Sequence, residues 1–188
     1  MSYCDAAAHP VHGPYHDHEY GVPVRDDAAL LERLSLEIAQ AGLSWLTVLN
    51  KRAGYRAAFE GFDPERVAAY GDAERARLMA DAGIVRNGRK IDATIDNARA
   101  VLRLRETHGG FAAWLDAHHP LPPDAWRKLF KETFRFTGGE IVSSFLVSLG
   151  YLPGAHRESC PAYARIAAMN PPWAVNRTSA SRAPSPRA

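Results

Sequence analysis

No run of apolar residues in this 188-residue chain approaches the roughly 20 needed to cross a membrane, so a membrane-spanning role is not expected. The N-terminus, MSYCDAAAHPVHGPYH, lacks the basic stretch followed by an apolar one that marks a secretory leader. A cytoplasmic location is therefore the expectation. Only two cysteines are present, Cys4 and Cys160, near opposite ends of the chain, and in a reducing compartment they are poor disulfide partners. Excess charge of one sign is also missing. The 23 basic and 21 acidic residues leave a net +2, too little to establish nucleic-acid binding by itself, although it leaves room for a local basic patch. Internal repeats are absent, and no segment alternates apolar and polar residues for long enough to be a convincing strand.

What is present is helical periodicity. The hydrophobic content of 46% is ordinary for a globular protein long enough to bury a real core, so one helical domain is expected over residues 1–173. Asp26 and Asp27 can cap a helix that carries Leu30, Leu31, Leu34, Ile38 and Ala41 on one face and stops at Gly42. Ser44 can open the next, running through Leu46, Val48 and Leu49 toward Tyr55 and Phe59. DPERVAAY places a capping aspartate before a proline at the first helical position. In GRKIDATIDNARAVLRL, Ile91, Ile95, Ala98 and Leu102 recur at helical spacing, and shorter helices are expected at 111–118, 123–132 and 140–149. The fold class is all-α. Residues 174–188, rich in serine, proline and alanine with Arg177, Arg182 and Arg187, read as a disordered basic tail.

Chemistry concentrates at the two ends. YHDHEYG, residues 15–21, sets two histidines among carboxylates and aromatics, a pattern open to metal ligation, acid–base work or a plain polar loop. GAHRESC gives His156 and Cys160 four residues apart, a spacing that suits one metal, or equally a surface histidine and a buried thiol. With Cys4 and His16 they make a chemically coherent tetrahedral zinc shell, closed and therefore structural. The first 25 residues hold Pro10, Gly13, Pro14, Gly21 and Pro23 with little regular pattern. A zinc ion clamping this segment to the C-terminal region would pin it.

YHDHEYGVP, LEIAQAGLSWLTVLNKR, FDPERVAAY, DAGIVRNGRKIDATIDNARA and FRFTGG, followed by the His-x-x-x-Cys pair, together resemble the DNA-3-methyladenine glycosylase I family, collinearly from Cys4 to about Cys160. The resemblance implies a helix-hairpin-helix repair fold with one structural zinc held by Cys4, His16, His156 and Cys160. It leaves His18 as a polar loop residue. It also implies excision of N3-methyladenine from double-stranded alkylated DNA by a monomeric enzyme, with the free base as product. Glu37, Tyr15 and Trp45 would bind the flipped base, and Tyr20 and His12 would line the pocket. By pattern alone Glu37 is equally a salt-bridged or solvent-reaching residue.

A helix-hairpin-helix is expected near 133–145, with Gly138 and Gly139 admitting a phosphate and Arg135 attracting it. Leu43 would wedge into the gap left by the extruded base, although the sequence alone reads it as core, and Arg86, Arg89 and Lys90 would be offered to the DNA backbone or line a solvated helix start. No aspartate follows Asp124 and no lysine lies in RFTGGEIVSS, so a monofunctional glycosylase without lyase activity is expected.

The chain also departs from the family pattern. Asp5, Ala6 and Ala7 follow Cys4 where the family has a nearby tryptophan. Tyr20 stands for a tryptophan, His12 for a tyrosine, Ser143 for an aromatic, and Gly154-Ala155 for Asn-Asp. The alternative reading is a zinc-stabilised helix-hairpin-helix DNA-binding protein that has lost efficient excision.

Overall fold

The structure, a computed structural model, describes residues 2–175. The tail expected to be disordered lies outside them, apart from Ala174 and Val175. Every regular element among the described residues is helical: α1 (His12–His18), α2 (Asp27–Gln40), α3 (Trp45–Asn50), α4 (Arg52–Ala58), α5 (Pro64–Ala68), α6 (Asp72–Ala80), α7 (Gly88–His108), α8 (Phe111–His118), α9 (Pro123–Thr133), α10 (Gly139–Ser148) and α11 (Pro161–Ala167), with short 3-10 turns at Tyr3–Ala6 and Glu60–Phe62. The chain divides into two units, one from Val24 to Phe145, the other made of the N-terminal segment through Pro23 and the chain from Leu146 onward.

In the Val24–Phe145 unit, α2 runs through the core with all ten residues from Leu30 to Ala39 buried. A helix buried on every side should be apolar throughout, yet this one carries Glu32, Arg33 and Glu37. Glu32 is met by two guanidinium groups, Arg52 Nε at 2.6 Å and Arg56 Nε at 2.9 Å, the pairing that makes a buried carboxylate tolerable. Asp26 caps the helix start by accepting from the Ala29 amide. Around α2 pack α3, α5, α7 and α8. Phe111, Trp114, Trp126, Phe130, Phe134 and Phe145 form an aromatic cluster in the same unit, with Phe111 and Phe134 ring centres 4.7 Å apart.

The helix expected to run from Ser44 to Phe59 is instead two, broken at Lys51, whose backbone leaves the helical region. The cause lies elsewhere in the chain. Lys51 Nζ donates to the Ala82 carbonyl at 2.8 Å, and Gly54 passes so close to the next turn that a Cβ there would sit 2.4 Å from the Gly83 carbonyl oxygen. Sequence periodicity also missed α1, α6 and α11. Pro14 falls inside the first turn of α1, where its missing N–H has no helical partner to lose. Gly13 is needed there because a side chain would lie 2.6 Å from the Ala7 carbonyl oxygen.

Lys90 does not do what the sequence pattern proposed. Its ammonium donates to the carbonyls of Ala39 at 3.0 Å and Ala41 at 2.6 Å, closing the C-terminal end of α2, while Arg86 and Arg89 stay exposed. A cation on the last carbonyls of a helix is both a cap and a favourable partner for its dipole. Lys90→Met should lower the unfolding free energy by about 1–3 kcal/mol, read from urea denaturation. An unchanged midpoint would show the two hydrogen bonds to be dispensable.

Candidate functional site

The clearest cluster lies in the unit formed by the two ends of the chain. The N-terminal segment is tied there at several points. The Gly21 amide donates to the Ser148 carbonyl at 2.8 Å, Arg157 pairs with Asp5 at 2.9 Å, and Arg165 donates to the Asp17 carbonyl. Gly21 has φ +85°, and a Cβ there would lie 2.8 Å from the Cβ of Ala155. Those ties place Cys4 and His16 against His156 and Cys160, with one ligand atom from each of the four within 4.8 Å of all the others.

The hydrogen-bond partners fix the tautomers. His16 Nδ1 lies 2.7 Å from the Asp17 carboxylate, and that bond holds Asp17 below the usual carboxylate range. A carboxylate only accepts, so Nδ1 carries the proton and Nε2 turns a lone pair inward. His156 Nε2 lies 2.7 Å from the Tyr20 carbonyl, so its Nδ1 also presents a lone pair. The two bare nitrogens face each other at 3.1 Å, with sulfur-to-nitrogen distances of 3.7 Å, 3.8 Å and 3.9 Å around them.

Two lone pairs at that separation repel unless a cation lies between them. A tetrahedral zinc would set roughly 3.3 Å between nitrogens and roughly 3.6 Å between sulfur and nitrogen, so the donor set fits such an ion. Burial raises the Cys4 thiol, while the Ser2 side chain and the Arg157 backbone act by hydrogen bonding to lower it. His18 is exposed at the end of α1 and takes no part; it lies in a helix rather than the loop expected for it.

Beside this cluster, Tyr15 is buried and Tyr20 and His12 are half-buried. The residue that sequence reasoning missed is Tyr3. Its ring lies 4.9 Å from Tyr20, 5.5 Å from His12 and 6.0 Å from Tyr15. The only sequence signal was its position next to Cys4.

In the Val24–Phe145 unit, Glu37 is 5% exposed. Burial drives its carboxyl up to about 7, against the opposing pull of Arg33 one turn earlier. Glu37 is thus neither solvent-reaching nor a copy of the doubly paired Glu32. The exposed loop 41–44 follows, with Leu43 41% exposed rather than in the core. Ser44 caps α3 by accepting from the Thr47 amide, and Trp45, half-buried, is the first residue of that helix.

The α9–α10 turn is held by Asn97, whose side chain accepts from the Arg135 amide at 2.7 Å and donates to the Arg135 carbonyl at 3.2 Å. Thr137 donates to the Phe130 and Phe134 carbonyls. Phe136 takes φ +59°, a left-handed conformation rare for a bulky residue. A groove of about 650 Å³ is lined by Arg127, Lys131, Arg135, Phe136, Gly138 and Gly139. Arg135 also pairs with Asp96 at 3.0 Å. Gly138 faces open space, whereas a Cβ on Gly139 would meet the Arg127 side chain at 3.0 Å.

A chain whose described residues form helices around a Cys–His cluster and a buried glutamate has counterparts among known proteins. The family model for methyladenine glycosylase matches residues 5–124. The chain belongs to the methyladenine glycosylase family. DNA-3-methyladenine glycosylase 1 of Escherichia coli (strain K12) is 40% identical over 173 residues, covering 82% of this chain and 92% of the relative. Among solved structures, a tyrosine-to-phenylalanine variant of 3-methyladenine DNA glycosylase I in complex with 3-methyladenine is 32% identical. It superposes with a TM-score of 0.77, over 86% of this chain and 97% of that one. The Staphylococcus aureus 3-methyladenine DNA glycosylase I is 31% identical with a TM-score of 0.76, over 86% and 95% of the two chains. The family match contains Tyr15, His16, Glu37, Leu43 and Trp45 but ends before His156 and Cys160.

Glu37 carries a stability consequence. Its folded value lies above the ordinary 4.5, so folding favours the neutral form. The contribution of Glu37 to stability is fullest below about pH 4.5 and is lost as pH rises to about 7, by roughly 3 kcal/mol in all. Glu37→Gln lacks this slope. Its advantage over the native protein in urea denaturation should therefore be larger at pH 8 than at pH 5. An equal difference at both pH values would mean that the carboxylate ionises in the fold without cost.

Proposed function

We propose that this chain is a monofunctional DNA glycosylase that hydrolyses the N-glycosidic bond of N3-methyladenine in double-stranded alkylated DNA and leaves an abasic site. The observation that carries the proposal is Glu37: a carboxyl buried in a helical core and held at about 7 makes sense as a reader of a cationic base. Methylation at N3 makes the adenine cationic and its bond to the sugar already weak. The nucleotide is drawn out of the stack and its base is received on aromatic faces. Trp45 and Tyr15 supply those faces, and Tyr20 and His12 the surrounding walls. Glu37 accepts hydrogen bonds from the adenine edge and is drawn into its ionised form by the positive ring. When the bond breaks, its electron pair neutralises the ring. Water adds to the sugar carbon and loses a proton, so no strong acid is required.

The α9–α10 turn is read as the hairpin of a helix-hairpin-helix. Gly138 and Gly139 admit a phosphate, Arg135 attracts it, and Leu43, exposed on its loop, fills the gap left by the extruded nucleotide. No aspartate follows Asp124 and RFTGGEIVSS has no lysine, which supports base release without strand cleavage. The alternative, a DNA-binding protein without efficient excision, is disfavoured by Glu37, which folding would not keep buried at that cost for nothing. A monomer in the cytoplasm fits these properties.

Cys4, His16, His156 and Cys160 would hold one zinc ion per chain. With four protein ligands the metal secures the fold and leaves the chemical step to other residues. Asp17 and the Tyr20 carbonyl orient the two imidazoles. Elemental analysis of protein prepared without chelator should give one zinc per chain, and Cys160→Ala should lose it and melt at a lower temperature. Protein that is fully folded without metal would refute the assignment.

Substrate range tests the rest. Incubated with methylated DNA, the enzyme should release 3-methyladenine, leave hypoxanthine and uracil in other duplexes, and cut no strand. 7-Methylguanine is also cationic, but it presents a carbonyl where adenine has an amine, and a carboxylate facing it is repelled. Its release should be slower by roughly 100-fold, a difference of a few kcal/mol. The excision kcat/KM should rise with pH through about 7 as Glu37 ionises, and Glu37→Gln should flatten that rise. Chromatography showing equal release of the two bases would remove Glu37 as the selector.

A further inference from the structure

We propose that Tyr3 is a positioning residue for base recognition, acting through Tyr15 and fastened by the metal cluster through Cys4. The inference rests on the reading that Tyr15 helps to bind the base, and concerns a residue outside that reading. Tyr3 is the hub of the aromatic group in its unit. Its ring meets Tyr15 edge-on, at 6.0 Å and 79°, His12 at 5.5 Å and 83°, and Tyr20 at 4.9 Å and 62°. These are edge-to-face arrangements, which fix the orientation of a ring as well as its place. Tyr15 and Tyr20 lie 5.9 Å apart, so both also touch each other while being buttressed by the same third ring. The Tyr3 hydroxyl lies 2.9 Å from His12 Nδ1, which holds a second proposed pocket residue.

Asp5, Ala6 and Ala7, on the other side of Cys4, offer no ring. Tyr3 opens the short 3-10 turn whose start is closed by a reciprocal pair, Ser2 accepting from the Cys4 amide and Asp5 accepting from the Ser2 amide. One peptide bond therefore separates the aromatic hub from a metal-cluster sulfur. The cluster thus does more than close the fold, because it sets where the Tyr3 ring stands and so limits the freedom of Tyr15.

The test uses the full chain in its metal-containing form, with three measurements: zinc per chain, affinity for free 3-methyladenine, and kcat and KM for excision from methylated duplex. Tyr3→Leu keeps most of the volume without a ring. It should retain the metal, bind 3-methyladenine about ten-fold more weakly and raise KM more than it lowers kcat. Tyr3→Phe keeps the ring and should restore affinity to within about three-fold of the native protein. Full metal with native affinity in Tyr3→Leu would overturn the inference. So would loss of metal in both variants, which would make Tyr3 part of the metal fold alone. Tyr15→Leu separates the two levels. If it leaves affinity unchanged, the reading of Tyr15 fails and this inference with it. If it weakens binding while Tyr3→Leu does not, only the inference about Tyr3 fails.

Discussion

A carboxylate cannot be carried into a helical core without a partner or a proton, and α2 carries two. That constraint organises the unit around it. Glu32 is given the first solution: Arg52 and Arg56 approach from the neighbouring helix α4, and their guanidinium groups satisfy its oxygens. Glu37, five residues on, is given the second, with burial raising its proton affinity until about 7. One helix thus holds a charge that is spent on structure and another that is left available. A protein gains nothing in stability from the second arrangement, which makes Glu37 a candidate for function.

The other unit obeys a different constraint. Two imidazoles whose outer nitrogens already donate, to Asp17 and to the Tyr20 carbonyl, must turn lone pairs toward each other at 3.1 Å. Two sulfurs complete the ring of donors. Two unprotonated ring nitrogens cannot hydrogen-bond each other, which leaves the two sulfurs as the groups that could donate to them. The four side chains form a Cys/His cluster that could hold a metal ion, and Tyr3 stands next to one of them, Cys4.

Several features were legible before any fold was known. The capped starts at Asp26, Ser44 and Asp63 and the helices at 111–118 and 123–132 follow from local rules of spacing and end chemistry, and the structure has them within a residue or so. The four-residue spacing of His156 and Cys160 likewise carried its chemistry in the chain. Short helices were not legible: α1 holds Gly13 and Pro14 in its first turn, and α6 has only Leu78 buried. Elements of one or two turns owe their existence to what they pack against, and periodicity has too few repeats to register.

By itself, then, the sequence determined the helical class, the main helix starts and the identity of the donor atoms at the two ends, because each is set by residues within a few positions of one another. Only the tertiary structure decided that Lys90 closes α2, that the helix after Ser44 breaks at Lys51, that Tyr3 is the centre of an aromatic group, and that Glu32 is paired where burial raises the proton affinity of Glu37. These outcomes depend on partners distant along the chain, such as Lys90 with Ala39 or Lys51 with Ala82. Burial and proton affinity belong to the surroundings of a side chain, and those surroundings exist only once the chain has folded.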